Sequence, residues 1–115
     1  MRPALREVLP QRRRNETFNM RFGNQSRMFT VTLGYYDDGR VGEVFIDGAQ
    51  PGSEMEGVTR DGAVLISLGL QHGVPLETMK SATSRDSNNN PATIVGAVVD
   101  RILEHEDENA RQTSR

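Results

Sequence analysis

At 115 residues the chain has the length of one domain, and 35% apolar with 5% aromatic content gives a modest, aliphatic core. The absence of cysteine excludes disulfides, thiolate metal sites and thiol redox chemistry together. A net charge of −2 conceals segregation: up to Arg14 there are five arginines against one glutamate, whereas Glu104, Glu106, Asp107 and Glu108 form an acidic cluster.

Residues 1–15 contain two prolines and no sustained period, and read as a flexible basic arm. The first strand begins near Thr17, with Phe18, Met20 and Phe22 alternating with Asn19 and Arg21. After a turn at Gly23–Ser26, Phe29, Val31, Leu33 and Tyr35 share one side of a second strand, Thr30 and Thr32 the other. Asp37-Asp38-Gly39 is a hairpin signal, since Asp and Gly tolerate positive φ. In the third strand, Val41 to Asp47, alternation places Gly42, Val44 and Ile46 opposite Val41, Glu43 and Phe45.

Ser53 to Gly73 is the segment around which the rest is organised. Ser53 and Glu56 have capping-box spacing, and Gly73 with Pro75 supplies a stop. Met55, Val58, Gly62, Leu65, Ile66 and Gly69 fall on one side at 100° per residue; Gly57, Asp61, Val64 and Leu68 fall on the other. Gly62 and Gly69 suggest close approach to the sheet, because glycine within a helix costs about 1 kcal/mol relative to alanine. Val74 to about Ala82 predicts a short helix, and Ser84–Asn90 a polar, mobile connection. Ile94, Val95, Val98, Val99, Ile102 and Leu103 form the stripe of a last helix that begins near Pro91 and is expected to cover the second face of the central one. Fraying is expected beyond Glu108. The fold class is α+β: a three-stranded antiparallel meander packed on a long central helix, then a short helix and a C-terminal helix. The domain itself spans 16–107, between the arm and a disordered tail, 108–115.

No constellation specifies a reaction, so no catalytic residue, metal site or cofactor is expected. His72 and His105 each end a long helix, where capping accounts for them. Asp37-Asp38 can hold a cation but is fully explained by a turn. Arg60-Asp61 lies on the less apolar side of the central helix, as a solvent-facing or ion-pair position. No stretch approaches the roughly 18 apolar residues of a membrane span, and the charged N-terminus lacks the apolar run of a secretory signal. The expectation is a cytoplasmic protein with no membrane association.

From Glu16 onward, TFNMRF, then FTVTLGYYDDGRVGEVFID, then RDGAVLISLGLQHGVPLE resemble the TSCPD domain family, most persuasively at Gly42–Asp47 and Gln71–Glu77. That family includes the C-terminal domain of adenosylcobalamin-dependent ribonucleotide reductases and small free-standing proteins. The similarity covers roughly Glu16 to Leu103. Its namesake Thr-Ser-Cys-Pro-Asp corresponds here to Asn88-Asn89-Asn90-Pro91-Ala92, where only Pro91 survives. The reduction performed by the family needs cysteines, so the resemblance implies a relative of an appended domain, a non-catalytic accessory or interaction protein acting on a protein partner, either a ribonucleotide reductase or another component of nucleotide metabolism. A nucleic-acid-binding module using the arginine arm is the alternative, and an enzyme using Asp and His groups a distant third. Arg12, Arg13, Arg14, Arg60 and Asp61 are the candidate partner-binding residues. Gly57, Asp61, Val64, Leu68 and Gln71 have the spacing of a helix–helix seam, so a homodimer and a fully covered monomer carry equal weight.

Overall fold

The computed structural model describes residues 5–113, with side chains as far as Glu108. Arg2, at the start of the expected basic arm, and the side chains of the expected tail beyond Glu108 lie outside the described residues. The chain forms two compact units that divide between Val74 and Pro75.

The first unit holds the meander and the central helix, and the α+β reading holds. Strands β1 (Asn15–Phe22), β2 (Arg27–Tyr35) and β3 (Val41–Asp47) form one antiparallel sheet in chain order. Phe18 lies opposite Val31, Met20 opposite Phe29, Val31 opposite Ile46 and Leu33 opposite Val44. Directly opposed residues share a face. Phe29, Val31, Leu33, Val44 and Ile46 are therefore one buried surface, which Phe18 and Met20 extend half-buried. The other face is polar: the Thr17 and Thr32 hydroxyls meet at 3.1 Å, and Thr30 donates to Asn19 at 2.9 Å. Gly39, at φ +92°, closes the expected hairpin, with its N–H donating to Tyr36 O.

Helix α1 (Glu54–Gln71) begins as its capping box dictates. Ser53 Oγ accepts from Glu56 N at 3.1 Å, and Glu56 Oε1 accepts in return from Gly52 N. At the other end Gly73, at φ +83°, lets Gly73 N reach Leu70 O and Val74 N reach Gly69 O, satisfying terminal carbonyls. The helix packs against β3, but rotated from the expected orientation. Thr59, Ala63, Ile66 and Gln71 are buried, whereas Met55 (57%), Val58 (56%) and Leu65 (68%) are exposed. The reason lies in the strand edge. Tyr35 N bonds Arg14 O, so the hydrogen-bonding parity of the ladder turns Glu43, Phe45 and Asp47 toward β2 and leaves the backbone groups of Gly42 and Val44 pointing outward. Ser67 Oγ accepts from Val44 N at 2.9 Å and lies 3.2 Å from Val44 O, while Gln71 Nε2 donates to Gly42 O at 2.9 Å. Two polar helix residues thus satisfy what would be a bare edge, and fix which side of the helix turns inward. Close approach to β3 is made at Ser67 and Gln71, with Gly62 and Gly69 half-buried alongside.

In the second unit α2 (Leu76–Ala82) packs with α3 (Ile94–Thr113). The connection between them is hydrogen-bonded rather than loose. Arg85 bridges to Pro91, Asp86 Oδ1 accepts from Asn88 N and Asn90 N at 2.9 and 3.0 Å, and Asn89 takes φ +65°. Arg85 then donates two bonds to the Asp100 carboxylate, at 2.8 and 2.5 Å. The Arg85 guanidinium holds Asp100 below the usual carboxylate range. Pro91 belongs to this turn and not to the helix; α3 starts at Ile94, with Thr93 Oγ1 accepting from Gly96 N at 3.1 Å. It continues to Thr113, past the Glu108 at which fraying is expected. Among the described residues no helix is long and apolar enough to cross a membrane.

Candidate functional site

The edge-capping arrangement leaves a groove beside it. One concavity of about 380 Å³ runs between β3 and α1, bordered by Arg6, Phe45, Arg60, Val64 and Leu68 over the Ser67 and Gln71 contacts. A second, of about 450 Å³, lies on the polar sheet face between Arg12, Arg13, Asn15, Thr32 and Phe45. Glu43 and Phe45 border both, so the two are neighbours on one surface. The size is that of small-ligand sites generally. Phe45 is 50% exposed, the consequence of alternation placing it opposite Val44 and Ile46.

The segment before β1 walls this surface, because its side chains find partners on the first unit. Glu7 N donates to Gln71 O at 2.7 Å and Arg6 Nε to Gln71 Oε1 at 2.6 Å. Tyr36 donates its hydroxyl to Glu7 O at 2.6 Å, and Arg40 forks onto the Glu7 carboxylate at 2.9 and 2.7 Å. That hydrogen-bonded guanidinium draws Glu7 below its ordinary pKa. Asp38 is also lowered, chiefly by the Arg40 backbone N–H and then by its side chain, which settles the Asp37-Asp38 pair as a turn. Arg13 donates to both Glu43 oxygens, at 2.8 and 3.1 Å. Arg14 lies 4.2 Å above the Tyr35 ring, whose hydroxyl burial and the Glu16 carboxylate push up to about 12.

Of the residues singled out from sequence, Arg12, Arg13 and Arg60 come together on this surface. Arg14 is turned to Tyr35, and Asp61 is exposed on α1 and does not border the groove. The expected seam divides: Gly57, Asp61, Val64 and Leu68 are exposed, but Gln71 is buried at 5% in the strand-edge contact. His72 Nδ1 lies 2.9 Å from Leu68 O, the cap its position suggests. Arg6, Phe45 and Ser67 border the groove without having been singled out from the sequence, and Gln71 was assigned to the helix–helix seam instead. Only Phe45 carried a signal, an aromatic ring on the polar side of its strand. Thr59 Oγ1 is buried without a partner among the described residues, beside a hollow of about 20 Å³, enough for one water. Among the described residues no three His, Cys, Asp or Glu side chains cluster as a metal site.

The TSCPD domain matches residues 2–105. Among curated proteins the chain is similar to the vitamin B12-dependent ribonucleotide reductases of Bradyrhizobium diazoefficiens (42% identical over 72 residues) and Agrobacterium fabrum (43% over 72 residues), covering 63% of this chain and 6% of each relative. Against that of Rhodopirellula baltica, identity is 33% over 104 residues, 84% of this chain and 10% of the relative. The chain thus spans a tenth or less of these relatives. No solved structure matches.

Proposed function

Because the chain belongs to the TSCPD domain family, we propose that it is a non-catalytic accessory protein of the cytoplasm that binds a protein partner, a vitamin B12-dependent ribonucleotide reductase. The observation that carries this reading is the outer face of α1. Met55, Val58 and Leu65 are all exposed there, between 56% and 68%, whereas Val64 and Leu68 turn toward the groove. Single exposed apolar side chains are ordinary, but several on one helix face are the mark of an interaction surface. The chemistry supports binding over catalysis: no cysteine is present to serve thiol-dependent reduction.

The test is direct. The chain is immobilised and the reductase from the same cell is passed over it, with Val58→Glu and Leu65→Glu as variants. Binding in the micromolar range or tighter that either glutamate weakens at least about tenfold supports the reading, one buried apolar contact being worth roughly 1.5–3 kcal/mol. No binding at about 100 µM ends it. Light scattering of the same variants tests the competing occupant, a second copy of this chain. A dimer that Leu65→Glu dissolves assigns the face to self-association. Turnover of a ribonucleotide by the chain alone, with adenosylcobalamin and a dithiol supplied, overturns the non-catalytic part.

A further inference from the structure

The described arginines of the first unit fall into two sets. Arg13 is held by Glu43, Arg40 by Glu7 and Asp38, and Arg14 by the Tyr35 ring. Arg21 and Arg27 donate to the carbonyls of Ser26 and Gly48. Arg12, Arg60 and the terminal nitrogens of Arg6 have no hydrogen-bond or ion-pair partner among the described residues. All three border the two hollows that share Phe45. Free guanidinium groups therefore gather around one exposed aromatic ring, while those elsewhere in the unit are committed. Glu43, the carboxylate common to both hollows, is already neutralised by two bonds from Arg13. Asp47 is the acidic group that remains at the rim.

We infer that this surface binds a nucleoside phosphate, its base stacked on Phe45 and its phosphates held by Arg6, Arg12 and Arg60. A ring face accepts any base, and guanidinium forks onto phosphate oxygens in two-pronged fashion. Arg6 and Arg60 border the hollow between β3 and α1 and Arg12 the hollow beside it, so a base on the shared ring finds guanidinium groups in either hollow for its phosphate. Free nucleotide and single-stranded nucleic acid share this chemistry. The inference stands apart from the reductase proposal, which rests on the outer face of α1.

The experiment uses the full chain and two probes: a fluorescein-labelled 12-mer oligothymidylate followed by anisotropy, and ATP by calorimetry. Phe45→Leu keeps an apolar side chain and removes the ring, and should weaken binding roughly 5- to 100-fold. Arg12→Gln with Arg60→Gln should reduce the oligonucleotide salt slope by about 1.4, since each phosphate neutralised on a single strand contributes roughly 0.7. Arg27→Gln, a committed arginine outside both hollows, should change neither. ATP binding as tight as the oligomer identifies a free nucleotide; preference for the oligomer identifies a strand; both support the inference. Absence of binding to either probe at about 1 mM overturns it. So does binding that falls in the arginine variant yet is unchanged in Phe45→Leu, which describes a nonspecific polyanion surface. Thermal melts of each variant establish that the fold is intact.

Discussion

Ser67→Ala isolates the bond that seats α1 on the sheet. The hydroxyl accepts from Val44 N at 2.9 Å and has one proton to give, with Ala63 O at 2.9 Å and Val44 O at 3.2 Å as acceptors. Val44 is 2% exposed, so alanine removes the one side-chain acceptor of a buried N–H. An unsatisfied buried amide costs about 1–3 kcal/mol. Alanine's better helix propensity returns roughly 0.5 kcal/mol. The net expectation is about 1–2 kcal/mol of lost stability, read as a lowered urea midpoint by circular dichroism at unchanged slope. Ser81→Ala is the matched control: its hydroxyl donates to Glu77 O four residues back, as Ser67 does to Ala63, but serves no strand. That variant should stay within about 0.5 kcal/mol of the parent. Hydrogen exchange localises the effect, with the Val44 amide opening roughly 5- to 30-fold more often in Ser67→Ala. If the two serine variants are equally stable, the edge contact contributes nothing net and the account of why α1 is rotated fails.

Asp100→Asn should lower stability near neutral pH but not in acid. The folded carboxylate is held below its unfolded pKa by Arg85, so its contribution is complete above the unfolded value and is lost as pH falls through the folded one. The difference between parent and variant should shrink as pH falls below about 4 and vanish once pH is below the lowered folded value; a difference that stays constant through that range refutes the assignment. Both tyrosines should ionise late, since burial raises Tyr36 and carries Tyr35 to about 12. Tyrosinate absorbance should remain under half its maximum at about pH 10.5, half-ionisation near 10 in the folded protein counting against it. Stability should then fall as pH rises above roughly 10, where only the unfolded chain releases these protons. Gly48→Ala should destabilise by about 1–3 kcal/mol, since the position sits at φ +129° and a Cβ would lie 2.6 Å from Met28 O. Gly57→Ala meets open space on a helix and should stabilise by about 0.5–1 kcal/mol, a contrast that one pair of thermal melts decides.

What was legible in the sequence was local. The three strands, the Asp38-Gly39 turn, the Ser53–Glu56 box and the Gly73 stop are each written in residues adjacent or a turn apart, and the structure carries all of them. The rotation of α1 was not legible, because hydrophobic spacing treats Ser67 and Gln71 as polar outsiders. Their inward placement answers a demand made by the backbone of β3, more than twenty positions away in the chain. The Ser84–Asn90 connection failed for a related reason. Its polar composition matches that of an unstructured loop, yet Asp86 gathers its backbone N–H groups and the Arg85–Asp100 contact, closed through space, anchors the turn to α3. At the candidate site, Arg12, Arg13 and Arg60 were named by charge, but which would be consumed by Glu43 and which left free was decided by folding.

A meander of three strands has two edges, and this one treats them differently. The edge of β3 is closed by side chains of α1 and not by another strand, which places the helix beside the sheet's rim. Two consequences follow from that single arrangement. Committing Ser67 and Gln71 to the strand leaves Val58 and Leu65 on the outer face, the surface proposed for the protein partner. Setting the helix at the rim also leaves Phe45 beside open space, walled by Arg6 and Arg60, the surface inferred for the nucleoside phosphate. The two surfaces use different faces of the same helix–strand pair, so Leu65→Glu and Phe45→Leu should separate their activities. A ligand that neither variant binds would mean that one surface, not two, had been described.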